Sequence, residues 1–400
     1  MSGELEFVMK WFREHYKRSP PQPPDRFGRR EFGFMFFDKT FVQRHVGFSR
    51  AADFNAFLTE QVPAHVYYSS AYYETPGAAT MEEKKWLGAD LIFDLDADHI
   101  KGAEGLSYPD MLRKVKLEMI RLLDDFILGD LGFASDDIRV VFSGGRGYHV
   151  HVTDPRVVPL KSHERREIVD YITGTDLDSG WVFEERPFEK REFKQVTRVH
   201  KARLLPPPDS AGWRLRMRRG LEEVLGDMED LKPSEVKSHY PAAAGAPDKL
   251  VEEMLSDLFS LRGGKSGARI MLESNRLEVF SSPREQSLFL RILEEDVRRR
   301  LQGQVDEPVT SDIKRLIRLP DSLHGKTGLK VVVTSRGGLE CFDPLRDAVP
   351  DTYPDDPVRV FAKERVDLTL RGQHFTVEGE DEVPTFAAMF LLCRRLATLA

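Results

Sequence analysis

The stretch Leu91-Ile92-Phe93-Asp94-Leu95-Asp96 admits few structures. Read as a strand, its side chains alternate, so Leu91, Phe93 and Leu95 take one face and Ile92, Asp94 and Asp96 the other. The apolar face demands burial. The other carries two carboxylates about 7 Å apart in Cα position, which repel each other in surroundings that cannot hydrate them. A hard divalent cation held between them, magnesium or manganese, relieves both problems. So does a solvated strand end, since Ala97-Asp98-His99 follows. Either way the fold contains a sheet with an apolar side and an acidic opening.

The segments around this strand alternate in character. An opening helical pattern stops at Ser19-Pro20-Pro21-Gln22-Pro23-Pro24, because proline cannot continue it. Residues 31–48 are rich in aromatic and β-branched side chains and predict a hairpin turning at Asp38-Lys39. A second aromatic segment holds Val66-Tyr67-Tyr68 and Tyr72-Tyr73. Ser107, with Asp110 three residues on, caps a helix predicted over MLRKVKLEMIRLLDDFIL. Ile138–Phe142 and Tyr148–Val152 read as strands joined by a glycine-rich turn. From 162 to 300 the pattern is mostly helical. The β pattern returns at Gln304-Val305-Asp306 and at 329–333, and a helix over 383–399 closes the chain. The expected fold is a mixed α/β (α+β) core, discontinuous over 1–160 and 300–400, with a mainly helical insertion at 161–299.

Composition narrows the function. At 400 residues, 40% hydrophobic and 31% charged, the chain suits one large core plus an appended unit. A net charge of −7 has the wrong sign for a protein that coats nucleic acid with a whole-surface positive field. Nucleic-acid contact would need local basic patches. Arg214, Arg216, Arg218 and Arg219 make one candidate, and a solvated helix face explains them equally well. Only Cys341 and Cys393 are present, too few for a disulfide framework or a cysteine-rich zinc site. They read as buried free thiols, and no structural zinc is expected. No apolar run approaches a membrane span, and the first residues are too charged for a secretory signal. The expected location is the cytoplasm, with no membrane contact.

Two further segments bear on the acids. Ser143-Gly144-Gly145-Arg146-Gly147 brings backbone N–H groups within reach of a phosphate, with Ser143, Arg146 and His149 as added donors. A tight strand connection needs the same glycines whether or not anything binds. The segment from Val305 to Gly328 begins with the acids Asp306 and Asp312 and ends with Arg318, His324 and Lys326. That order suits carboxylates that fix metal beside cations that neutralise a triphosphate as pyrophosphate leaves.

Together, FDLDAD at 93–98, SGGRGYH at 143–149 and RLIRLPDSLHGKTG at 315–328 resemble the archaeo-eukaryotic primase small subunit. REFGF, the Arg44-His45 pair, YYSSAYYE and WLGADLIF look like its archaeal branch. The resemblance covers most of the chain and is weakest in the helical middle. It implies a catalytic subunit that makes short RNA primers on single-stranded DNA by two-metal nucleotidyl transfer during replication. DNA primers stay open, because both nucleotide types share the triphosphate. It implies a Mg2+ or Mn2+ site on Asp94, Asp96 and a third aspartate, Asp306 by its VDEPVT context, with Asp312 the alternative. Ser143, Arg146, His149, Arg318, His324 and Lys326 would surround the incoming nucleoside triphosphate, with Arg30 near the site. A primase large subunit would be the partner in a heterodimer. Many archaeal members carry a small Cys/His zinc knob after the first acidic motif, and residues 97–137 here hold no cysteine.

Overall fold

Two four-stranded sheets frame the site. The computed structural model describes residues 3–100, 102–193 and 196–400, with side chains for all of these but 99, 179, 188–193 and 196–201. In the first sheet the strand order is Leu316–Arg318, His65–Ser69, Phe32–Met35, Gln43–Val46. In the second it is Val332–Thr334, Ile138–Phe142, Gly147–Val152, Leu91–Asp96. Every pairing in both is antiparallel, so the core is the α+β form of a mixed fold. Each sheet draws one edge strand from beyond residue 300, which explains why β-type sequence recurs so late in the chain.

The chain divides into two compact units, 1–169 with 304–400, and 170–303. In the first, helix Gly3–Arg18 buries Val8, Phe12 and Tyr16. Phe32, Phe34, Phe48, Phe54 and Phe57 pack edge-on or tilted around the hairpin 32–46. Helix Tyr108–Arg121 begins at Ser107, whose hydroxyl accepts from the Asp110 N–H. It continues through the wider turns of 122–130, which bury Leu122, Leu123, Phe126 and Ile127.

Three expectations need correction. Residues 304–306 form no strand. They lead into the short helix Glu307–Ser311, and the Asp306 N–H bonds to the Asp94 carbonyl at 3.0 Å. Within the mainly helical stretch 162–300, strands Glu184–Phe193 and Val196–Leu204 pair. The last helix is only Thr385–Cys393. Before it runs a long hairpin, Pro357–Leu370 against Gln373–Pro384, and after it Thr398–Leu399 adds a third strand. That hairpin turns on Arg371 and Gly372, both at positive φ (48° and 75°), the geometry that two-residue connections favour. Finally, Cys341 is exposed rather than buried, whereas burial pushes the Cys393 thiol up to about 12.

Candidate active site

The acids sit on an edge strand of the second sheet. Leu91–Asp96 pairs with Gly147–Val152 so that Asp94 faces His149 and Asp96 faces Gly147. The odd-numbered side chains Leu91, Phe93 and Leu95 are buried, while Asp94 and Asp96 are partly open. Because Asp306 hydrogen-bonds to the Asp94 backbone, its carboxylate joins the same field. The Asp94 carboxyl is raised to about 7, first by burial, then by the negative charges of Asp96 and Asp306, against the opposing pull of Arg315 and Arg318. Asp312 lies elsewhere: its carboxylate accepts from the Lys314 N–H and acts on Tyr73 and Arg165. The structure thus separates the two candidates for third acid. Among the described residues no three His, Cys, Asp or Glu side chains stand close enough to hold a metal ion as placed. The donor set nevertheless suits a hard cation, since hard-cation sites take oxygen ligands and added positive charge would relieve the penalty on ionised Asp94.

Glycine decides how close the phosphate-type turn comes. Gly144 has φ +75°, and a Cβ there would stand 2.8 Å from the His324 Cβ. At Gly147 a Cβ would lie 2.4 Å from the Leu95 carbonyl oxygen, so only glycine lets this strand meet the acid strand in register. The Ser143 Oγ accepts from the N–H groups of Gly145 and Gly147 (3.3 and 3.2 Å) and so shapes the turn. Two side chains hold it from outside. The Tyr108 hydroxyl donates to the Gly145 carbonyl at 2.6 Å, and the Thr327 hydroxyl to the Gly144 carbonyl at 2.6 Å. Arg146 pairs with Asp98 and stands 3.7 Å from Asp96, which ties the turn to the acid loop.

The histidines are neutral. His149 Nε2 lies 3.3 Å from Asp94 Oδ1. Its pKa is driven well below the ordinary value by burial, then by His151, Arg318 and Arg315. Neutral, it makes no ion pair with Asp94, and it lines the same cleft as Ser143, Gly145 and Arg146 of the turn. His65 is lowered to about 2, mainly by burial, then by Arg318 and Lys326. Its Nδ1 receives the Gly325 N–H at 3.2 Å and Arg318 at 2.6 Å, which places its own proton on Nε2. His324 packs edge-on against His65 at 4.7 Å, and its Nδ1 lies 3.2 Å from the Thr327 hydroxyl. Burial and the same cations hold it neutral. Arg318 also lies over Tyr67, 5.0 Å from the ring centre.

One cleft of about 1470 Å3 collects Asp94, Asp96, Ser143, Arg146, His149, Arg318, His324 and Lys326. Arg30 is not among its lining residues. It is 2% exposed, paired to Asp90 at 2.8 Å, and donates to the Ser69 and Ser70 carbonyls, so it braces the start of the acid strand. Arg214 pairs with Glu184, and Arg218 donates to Asn275 and to the Pro206 carbonyl. Sequence reasoning gave no role to His65, Tyr108, Arg315 or Thr327, although Arg315 and Thr327 lie inside the 315–328 motif and Tyr108 follows the Ser107 cap.

A mixed antiparallel core that sets acids against cations beside a tight glycine turn is the chemistry of a nucleotide-handling enzyme. Residues 93–335 match the family model described as DNA primase small subunit. That interval contains all nine residues proposed from the sequence for metal or nucleotide. The chain is 41% identical over 396 residues to the DNA primase small subunit PriS of Methanocella arvoryzae, covering 97% of this chain and 96% of that protein. With PriS of Methanosarcina acetivorans it shares 39% over 404 residues (98% and 96% covered), and with that of Methanothrix thermoacetophila 40% over 393 residues (96% of each). The chain belongs to the DNA primase small subunit family, whose members are DNA-directed, primer-synthesising nucleotidyltransferases. No helix among the described residues is long and apolar enough to cross a membrane.

Proposed function

We propose that this chain makes short RNA primers on single-stranded DNA by metal-assisted nucleotidyl transfer, as the catalytic half of a heterodimer with a primase large subunit. The supporting observation is that Asp94 and Asp96 share one cleft with Arg318, His324 and Lys326, while the charge of Asp306 acts on Asp94 from outside its lining. In the reaction the 3'-hydroxyl oxygen attacks the α-phosphorus of the incoming nucleotide. The bond to the β-phosphate bridging oxygen breaks, and pyrophosphate leaves. Asp94, Asp96 and Asp306 would hold two Mg2+ or Mn2+ ions, which favour the alkoxide and offset charge on the leaving group. Arg146 on the glycine turn, with Arg318 and Lys326, balances the charge gathering on pyrophosphate.

The test is primer synthesis on single-stranded DNA with Mg2+ or Mn2+, with and without a large subunit. It compares the wild type with the Asp94→Asn/Asp96→Asn double variant. Metal-dependent products from the wild type, lost by at least ~1,000-fold in the variant as expected when transition-state charge stabilisation is removed, support the reading. A folded, partnered wild type that makes nothing sinks it.

A further inference from the structure

The cleft is larger than one nucleotide needs. Small-molecule sites span roughly 300–1,000 Å3, against about 1470 Å3 here. The excess is lined by a wall from the last fifty residues: Phe361, Lys363, Arg394, Arg395 and Leu396. Phe361 and Lys363 are two residues apart on the strand Pro357–Leu370 and so share a face. Phe361 is 44% exposed and Leu396 37%, unusual for large apolar side chains inside a lined cleft. Arg394 lies over the Tyr108 ring at 3.9 Å, and Tyr108 in turn holds the Gly145 carbonyl. The wall is therefore continuous with the glycine turn. Among the described residues Lys363, Arg394 and Arg395 form no ion pair with any carboxylate, although the chain as a whole is acidic.

Arg395 is the sharpest case. It ends helix Thr385–Cys393 at φ 57°. Its N–H bonds to the Leu392 carbonyl and that of Leu396 to the Leu391 carbonyl, a helix stop at which glycine is favoured. Unpaired cations beside exposed apolar groups are what a nucleic-acid strand needs, with phosphates meeting the charges and a base face meeting the ring.

We infer that this C-terminal wall binds the primer–template duplex next to the nucleotide pocket, through Lys363 and Arg395 to the phosphodiester backbone and Phe361 to an exposed base or sugar face. The inference rests on the primase reading above. The full chain, with its large subunit, is titrated into a fluorescein-labelled RNA primer annealed to a DNA template, and anisotropy is followed across salt concentration. Lys363→Ser and Arg395→Gly are compared with the wild type, and nucleoside triphosphate binding is measured separately. Each variant is expected to weaken duplex binding roughly ten-fold, irrespective of sequence. Each should also lower the salt slope by about one, with triphosphate binding unchanged. Arg395→Gly should melt no lower than the wild type, because glycine adopts that turn freely, which separates lost contact from lost fold. Unchanged duplex affinity overturns the inference, and so does a loss confined to the triphosphate. A wild type that binds duplex without extending it would overturn the primase reading alone.

Discussion

Asp94 is costly to the metal-free protein. Burial, then Asp96 and Asp306, lift its carboxyl from 3.8 to about 7. Between these values the native chain keeps a proton that the unfolded chain has released, so metal-free stability falls as pH rises from about 4 to 7 on account of this group. Asp94→Asn removes that dependence. Without divalent ions at pH 7 the variant is expected to be more stable than the wild type by ~1–3 kcal/mol, below the full ~1.4 kcal/mol per pH unit because the carboxylate keeps some water. The gap should close toward pH 4, and Mn2+ should raise the melting temperature of the wild type alone. Thermal melts across pH, with and without Mn2+, check this, and an unstabilised variant at pH 7 would contradict it. The tension at Asp94 was legible in sequence, because period two forces both acids of an apolar strand onto one face. His65 was not legible. It lies in an ordinary apolar strand, and only the pairing of Arg318 with Tyr67 across the sheet brings it to Gly325 and Arg318.

At the scale of elements, the glycine turn is held from outside by a helix the sequence did predict. Tyr108→Phe keeps the ring under Arg394 and removes the hydroxyl's hydrogen bond to the Gly145 carbonyl, worth about 1 kcal/mol, along with its contact to Arg394. The expected result is a roughly five-fold rise in the nucleotide KM, a melting temperature near wild type and kcat little changed. Steady-state kinetics of primer extension decide it, and an unchanged KM would show that the turn needs no such support. Ser107 and Asp110 marked this helix because capping is local chemistry. The hairpin 357–384 carried no such mark. Its buried positions, Val360, Ala362, Leu370, Val377 and Val383, are scattered among charges, and its turn is Arg-Gly rather than the stronger Asn-Gly signal. What was lost with it is the wall that carries Phe361 and Lys363. Strand pairs that bury little on either face leave no period to read.

For the whole molecule, the acid site depends on two chain segments meeting across a long interruption, since Asp94 precedes residues 170–303 and Asp306 follows them. The interruption is self-closing. The Gly303 N–H bonds to the Ile172 carbonyl at 2.9 Å, so the chain leaves and re-enters the first unit at nearly one place. Joining Val169 to Gln304 through a short Gly/Ser linker therefore spans only a few residues' reach, and the closure entropy of so small a loop is slight. The excised protein is expected to melt cooperatively. At Mn2+ about 100-fold above its dissociation constant it should gain about 2.7 kcal/mol of stability, and the Asp94→Asn/Asp96→Asn variant should gain none. Melting curves with and without Mn2+ read both results. A cooperative melt without the Mn2+ shift would mean that the acids do not form the ion site. Failure to melt cooperatively would mean that the two halves of the core, though joined sheet to sheet by Leu316–Arg318 and Val332–Thr334, need residues 170–303 to find one another.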